Sequence, residues 1–304
     1  MSSLRLGTRA SALARWQAEW VAAQLQQRGA AVELVPITTQ GDVKSGPLGQ
    51  IGGQGLFTKE LQRALLDGQI DLAVHSLKDL PTAPVEGLSL SAVPERESTA
   101  DVLISAKADR IEALPQAARI GTGSLRRKAQ LLHVRPDLVV EDIRGNVETR
   151  LRKLDDGHYD AIILAEAGLK RLGLADRITQ IIPRSTMLPA VGQGALGIET
   201  RADDQRTRAA LAPLDDLETH QAVLAERTLL FALRAGCLAP VGAWGRVEGG
   251  RLALDAVVLS PDGSRRLAAR GSADNAAAVS LGQQVADELL AQGAAELIAG
   301  AHTA

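Results

Sequence analysis

Apolar positions in the first three-quarters of this 304-residue chain switch repeatedly between the two-residue period of a strand and the spacing of a helix. Leu4 to Leu6 reads as a short strand. After the turn Gly7-Thr8-Arg9-Ala10-Ser11, residues Leu13, Trp16, Trp20 and Ala23 fall on one helical face, and Gly29 stops the helix. Val32 to Ile37 predicts the next strand, and the glycine-rich stretch Gly41 to Gly55 predicts a mobile loop. Thr58 is placed to cap a helix with Leu61 and Leu65 inside and Gly68 just beyond its end. Asp71 to Val74 then reads as a buried strand. Helix and strand in turn predict a parallel or mixed sheet covered on both faces.

The texture changes after about Glu218. One helix with Ala222, Ala225, Leu229 and Leu233 on its face leads to Gly236-Cys237. A hairpin of Trp244 to Val247 and Leu252 to Leu259, turning at Gly249-Gly250, precedes a last helix from Ala277 to Leu290. This is the pattern of a small further α/β domain.

An internal repeat organises the part before it. Leu6-Gly7-Thr8-Arg9-Ala10-Ser11 matches Ile120-Gly121-Thr122-Gly123-Ser124, each following a strand and opening a helix. Asp71-Leu72-Ala73-Val74 with Leu77-Lys78 matches Asp160-Ala161-Ile162-Ile163 with Leu169-Lys170 in the same order. Two α/β domains of similar plan are expected, with crossings at Pro94 to Thr99 and Pro189 to Gly194.

Composition narrows the function classes. Aromatic residues are only 2% of the chain, which argues against a base-stacking nucleic-acid platform. The net charge of −2 supplies no global attraction for polyanions, so an anion site must come from local clustering of arginines. A single cysteine cannot form an internal disulfide. The first residues lack a signal-peptide pattern, and no apolar run approaches the ~20 residues that span a bilayer. A cytoplasmic protein is expected.

Candidate chemistry gathers at element ends. Helix N-termini offer free N–H groups and a positive dipole end to carboxylates or phosphates. Ser11 and Ser124 have the plain role of N-caps, but Arg9 stands beside the first turn, and Arg126 and Arg127 lie inside the first turn of the second helix. The dipole disfavours arginine there, and bidentate binding of a carboxylate would justify it. Arg144-Gly145-Asn146, Arg150 and Arg171 extend the theme. Each alone reads equally well as solvated charge; together they point to a polyanion cleft. His75-Ser76-Leu77-Lys78-Asp79 follows a buried strand, at the edge where open α/β sheets bind ligands. A hydrolase triad of His75, Ser76 and Asp79 is disfavoured, since no Gly-x-Ser-x-Gly elbow accompanies it. Cys237, in Gly236-Cys237-Leu238-Ala239-Pro240, sits in a turn from which a sulfur can be presented to a cleft; no metal-ligand spacing surrounds it.

These segments, with Gly55-Leu56-Phe57-Thr58-Lys59-Glu60-Leu61 and Leu188-Pro189-Ala190-Val191-Gly192-Gln193-Gly194-Ala195, resemble the porphobilinogen deaminase (hydroxymethylbilane synthase) family over essentially the whole chain. The resemblance implies an α/β fold of three domains. The first two are like the lobes of a type II periplasmic binding protein, and the third is a small α/β domain with an antiparallel sheet. Limits of 1–94 with 195–216, 95–194 and 217–304 are expected. It implies a dipyrromethane cofactor held by a thioether to Cys237, onto which four porphobilinogen molecules are added with loss of ammonia. Asp79 would be catalytic, and Arg9, Ser11, Lys78, Ser124, Arg126, Arg127, Arg144, Arg150 and Arg171 would bind carboxylates. Phe57 and Thr122 would line the substrate pocket. No metal, nucleic acid, membrane or obligatory protein partner is implied, and a monomer is. The chain departs from the family pattern at Gln50, Gln54, Gly123 and Arg234-Ala235. A two-lobed carboxylate-binding protein explains the repeat and the arginines, but leaves Cys237 and the third domain without a role. A phosphate-binding transferase lacks a Walker-type loop.

Overall fold

The structure is a computed structural model that describes residues 3–38, 58–236 and 239–301. In chain order it begins with β1 (Leu4–Thr8), α1 (Ala12–Gln27), β2 (Val32–Pro36), α2 (Lys59–Leu66), β3 (Leu72–Ser76) and β4 (Leu88–Ala92). Then come β5 (Asp101–Ser105), β6 (Arg119–Gly121), α3 (Leu125–Val134), β7 (Val139–Glu141), α4 (Val147–Asp155), β8 (Ala161–Ala165), α5 (Glu166–Arg171) and β9 (Gln180–Ile181). The chain continues through β10 (Leu196–Arg201), α6 (Gln205–Leu211) and α7 (Leu217–Ala232). It ends with β11 (Val241–Glu248), β12 (Arg251–Leu259), β13 (Arg266–Asp274), α8 (Ala278–Ala291) and α9 (Ala294–Gly300).

Packing divides the chain into two units. Unit 1 is 1–97 with 195–220, and unit 2 is 98–194 with 221–304. The sheet of unit 1 has the order β2-β1-β3-β10-β4, with β1 parallel to β2 and β3, and β10 antiparallel to β3 and β4. The first sheet of unit 2 has the order β7-β6-β8-β5-β9 and the same pattern of parallel and antiparallel pairs. In each sheet the antiparallel strand, β10 or β5, is the first one after the chain arrives from the other unit. The sheets are therefore mixed, and the sequence repeat is a repeat of topology.

It extends to individual hydrogen bonds. Arg5 and Asp71 exchange backbone and side-chain bonds, Asp71 N to Arg5 O at 2.8 Å and Arg5 N to Asp71 Oδ2 at 2.9 Å. Arg119 and Asp160 do the same at 2.8 and 2.7 Å. In both sheets an aspartate just before the third strand pins the first strand of the repeat.

Each sheet buries both faces, which is why its strands read as near-continuous apolar runs. In unit 1, Leu6, Leu72 and Ile198 pack with Val21 and Leu25 of α1, while Ala73 packs with Leu61 and Leu65 of α2. In unit 2, Leu103, Ile120 and Ile163 meet Leu131 of α3; the alternate residues Val102, Ile104 and Ile162 meet Leu151 of α4 and Leu169 of α5.

The third sheet, β11-β12-β13, is antiparallel and covered by α7 and α8, with Leu229, Val258, Leu281 and Val285 in its core. The expected hairpin is present. Its turn residues Gly249 and Gly250 have φ of 58° and 76°, the left-handed pair that a two-residue hairpin turn demands. Within unit 2 this sheet is joined to the preceding lobe by a cation–π contact: the Arg184 guanidinium, bonded to Thr99 Oγ1, lies 4.5 Å from the Trp244 ring centre.

Arg171 ends the short helix α5. Two details differ from the sequence reading. The strand β13 was not foreseen: only Ala269 on it is buried, and its exposed charged and small residues give no strand signal. The short α9, Ala-rich and ending at Gly300, was likewise missed. Among the described residues no helix is long and apolar enough to cross a membrane.

Candidate functional site

In unit 1 the ends of β1 and β3 and the starts of α1 and α2 enclose a pocket lined by Arg9, Ser11, Gln17, Thr58, His75, Ser76 and Asp79, among others. Its position follows from the sheet order, since β1 and β3 are adjacent parallel strands whose carboxyl ends open at the same edge. Ser11 caps α1, accepting from Ala14 N at 3.4 Å. Arg9 and Lys78 are half-buried, and Asp79 is exposed at the end of a short 3-10 turn, Leu77–Asp79. The pocket floor is built by side chains the sequence did not single out for this role. Gln17 and Ser76 exchange hydrogen bonds at 2.8 and 3.2 Å. The buried His75 ring places Nε2 2.9 Å from Glu199, whose two oxygens also accept from Gln62. Ser76 and His75 are thus engaged elsewhere, and the two do not form a triad with Asp79.

Unit 2 carries the second set. Ser124 caps α3, accepting from Arg127 N at 3.5 Å, and Thr122 Oγ1 accepts from Ser124 N. Arg126 and Arg127 are 3% and 5% exposed and converge on Asp101, itself 1% exposed. Arg126 Nη1 meets Asp101 Oδ2 at 2.7 Å, and Arg127 meets Oδ1 through Nε at 2.9 Å and Nη2 at 2.8 Å. Burial alone would raise the Asp101 pKa, but the two guanidinium groups outweigh it and hold the carboxyl at about 2. Arg127 is displaced in the other direction, below the usual arginine value, chiefly by burial, with Asp101 opposing.

The other arginines are also oriented by internal bonds. Arg144 Nε donates to Asp142 at 2.7 Å, Arg150 Nε to Gly145 O at 2.9 Å, and Arg171 Nη2 to Gly194 O at 2.7 Å. Asn146 caps α4 through Thr149 N at 2.9 Å, which fixes the stretch from Arg144 to Arg150. A Cβ on Gly123 would stand 2.9 Å from the Asp142 carboxylate, the group that orients Arg144. Glycine at 123 leaves that carboxylate its place. Phe57, Gln50, Gln54 and Cys237 lie outside the described residues; Arg234 is exposed, with φ of 50°.

The sequence matches two family models end to end. Residues 4–209 match the porphobilinogen deaminase dipyromethane cofactor binding domain, and residues 220–291 match the porphobilinogen deaminase C-terminal domain. The chain belongs to the porphobilinogen deaminase family. The porphobilinogen deaminase of Acidithiobacillus ferrooxidans (strain ATCC 53993 / BNL-5-31) is 53% identical over 97% of each chain. That of Geobacter metallireducens is 51% identical over 97% of this chain and 94% of its own. Among solved structures, the methionine binding protein MetQ aligns at 14% identity with a TM-score of 0.45, covering 75% of this chain and 95% of its own. The cofactor-binding family domain spans the pocket of unit 1 and the α3 cluster of unit 2, whereas Cys237 falls in the C-terminal family domain.

The structure also brings out buried polar residues that the sequence reading missed. Asp101 stands at the head of the apolar strand Val102-Leu103-Ile104, and a charged residue beginning such a run is a sign of a buried partner. Gln193, 1% exposed, donates to Thr99 O at 2.8 Å and to Asp101 at 3.1 Å. Glu226 lies four residues after Ala222 on the apolar stripe of α7 and is 0% exposed. It accepts from Gly192 N and Gly245 N, both at 2.7 Å, and so holds the Pro189 to Gly194 crossing segment against β11.

Proposed function

We propose that this chain, an enzyme of the porphobilinogen deaminase family, performs its condensation chemistry at Asp79 and holds the carboxylates of the growing chain with its arginines. The reaction joins four porphobilinogen molecules head to tail, releasing ammonia at each addition, and then hydrolyses off the linear tetrapyrrole hydroxymethylbilane. The observation that supports the reading best is the pocket of unit 1, where a helix N-terminus, Arg9 and the Asp79 carboxylate line one cavity.

A dipyrromethane carries four carboxylates, and the residues suit it. The α3 cluster holds two buried guanidinium groups against one carboxylate, and Arg126 Nε has no partner among the described residues. Cys237, the single cysteine, holds the group through a thioether. When bound, the dipyrromethane supplies the pyrrole carbon to which the first substrate unit is joined.

The residues of the chain do the rest. Arg9, Ser11, Lys78, Ser124, Arg126, Arg127, Arg144, Arg150 and Arg171 hold acetate and propionate groups, each charge-assisted bond contributing roughly 1.5–3 kcal/mol. Thr122 and Phe57 border the substrate. Asp79 stabilises the cation that porphobilinogen becomes when ammonia leaves, and passes a proton to the departing amine. The protein works as a cytoplasmic monomer with porphobilinogen as its small-molecule partner.

Intact mass spectrometry tests the reading. Protein purified from a host that makes tetrapyrroles should exceed its sequence mass by two linked pyrrole units, carried on the Cys237 peptide. An unmodified, inactive protein from such a host would sink it.

A further inference from the structure

Among the side chains that line the pocket of unit 1, His75 is a buried titratable group for which the chemistry above has no use. It stands on β3, where the residue paired with it across the sheet is Gly197 of β10. Glycine offers no side chain there. The ring therefore meets the diagonal neighbour on the same face, Glu199, which is paired with Ala73. Nε2 lies 2.9 Å from Glu199 Oε2, and Gln62 of α2 fixes Glu199 in turn by donating to both carboxylate oxygens. All three side chains are buried.

A buried carboxylate needs a compensating charge or several donors. Gln62 gives Glu199 one amide group, and among the described residues His75 is the only group within ion-pair distance of it that can become a cation. Nε2 is fully buried with no aligned hydrogen-bond partner, so what it meets is the Glu199 charge. Nδ1 is the ring nitrogen left for the pocket, whose wall His75 helps to form. The other charged groups on that wall are Arg9 and Asp79.

Each addition leaves a proton to be removed. When a pyrrole carbon of the growing chain attacks the cation formed by loss of ammonia, a C–C bond forms and that carbon still carries its hydrogen. Loss of the hydrogen as a proton returns the C–H electron pair to the ring and restores its aromaticity. At that moment Asp79, which has given its proton to the departing amine, is a carboxylate.

We propose that His75 is a second catalytic residue of this pocket: its neutral ring, with the N–H on Nε2 facing Glu199, takes that proton at Nδ1 and becomes an imidazolium that Glu199 stabilises. The proton then passes to the Asp79 carboxylate, which is thereby ready for the next amine, and the cycle consumes no outside acid or base. Glu199 touches no substrate; it is a positioning residue that sets the tautomer of His75. The proposal rests on the reading that the condensation takes place in this pocket.

The test uses the full-length protein carrying its covalent cofactor, and porphobilinogen with hydrogen or deuterium at its free α-carbon. His75→Gln should lower kcat by about 10²-fold with KM within about threefold of the parent, and a primary deuterium isotope effect on kcat should emerge. Glu199→Gln should lower kcat less, and the double variant should stay within about threefold of His75→Gln alone. Nitrogen NMR of the resting protein, labelled in its histidines, should show neutral His75 as the Nε2–H tautomer, and as a mixture of tautomers in Glu199→Gln. Parental kcat in His75→Gln while Asp79→Asn is inactive would overturn the proposal and leave the pocket reading standing; parental turnover in both variants would remove that reading too. A loss of kcat without an isotope effect, or an Nδ1–H tautomer in the parent, would overturn the proposal equally. Should His75→Gln fail to fold, Glu199→Gln decides: a lowered kcat with mixed tautomers is expected, and parental kcat with an unchanged tautomer would overturn the assignment.

Discussion

Gly282 sits in the interior of α8, and by helix propensity alone its replacement by alanine should stabilise the protein by about 1 kcal/mol. The structure reverses the sign. A Cβ at 282 would stand 2.5 Å from the Ala225 carbonyl oxygen and 2.8 Å from Thr228 Cβ, both on α7. The first is a backbone atom held in a helix, so no rotamer change relieves the clash and the two helices must separate. Overpacking of this kind costs roughly 1–3 kcal/mol, and a backbone obstacle places it near the upper end. Against the propensity gain the net loss is about 2 kcal/mol. For a unit of this size each kcal/mol moves the melting temperature by roughly 2–4 °C, so a fall of about 4–8 °C is expected. Gly300, at the end of α9, is the control: no atom of the described residues lies within 4 Å of its added Cβ, and alanine there should leave the melting temperature level or slightly raised. Calorimetry or far-UV circular dichroism on the two variants decides. A Gly282→Ala protein that melts at or above the parent temperature would refute the close approach of α7 and α8.

The remaining expectations concern the site. Asp79→Asn should melt with the parent protein, since the side chain is exposed, yet lose turnover by about 10²-fold or more; near-normal turnover of porphobilinogen would remove its assigned role. The depressed Asp101 pKa has a definite sign in acid. Its stabilising contribution is complete above the unfolded carboxylate value near ~4 and is lost as pH falls through the folded value of about 2. For this fully buried group the contribution is about 2 kcal/mol, so urea unfolding followed between pH 5 and pH 2 should show a slope that Asp101→Asn lessens. An identical slope in the two proteins would contradict the pairing.

The fold was legible because its signals were redundant. Strands buried on both faces announce themselves as apolar runs, and the duplicated Gly-Thr turns and Asp-led strands fixed the pairing of elements across the repeat. The structure adds that Asp71 and Asp160 each pin the first strand of their repeat, a reason for the recurring aspartate that spacing alone could not supply. What escaped was the weakly marked periphery: β13 buries one alanine, and α9 offers seven small or mixed residues.

The site was legible as residue types and illegible as pairings, for a physical reason. A run such as Leu125-Arg126-Arg127 states that two cations begin a helix, and a ligand is the simplest justification when nothing nearby in sequence is acidic. The partner that sequence distance conceals, Asp101, is brought to them by β5, a strand whose place is decided by sheet order and not by local pattern. The dipole argument was therefore sound in demanding an anion but silent on which one. Once Asp101 is counted, the demand shrinks from two charges to one, and it concentrates on the arginine with an open buried Nε. The same logic applies to Glu226, a buried carboxylate among the apolar positions of α7. A buried carboxylate flanked by two backbone N–H donors at 2.7 Å is invisible until β11 and Gly192 are folded against it.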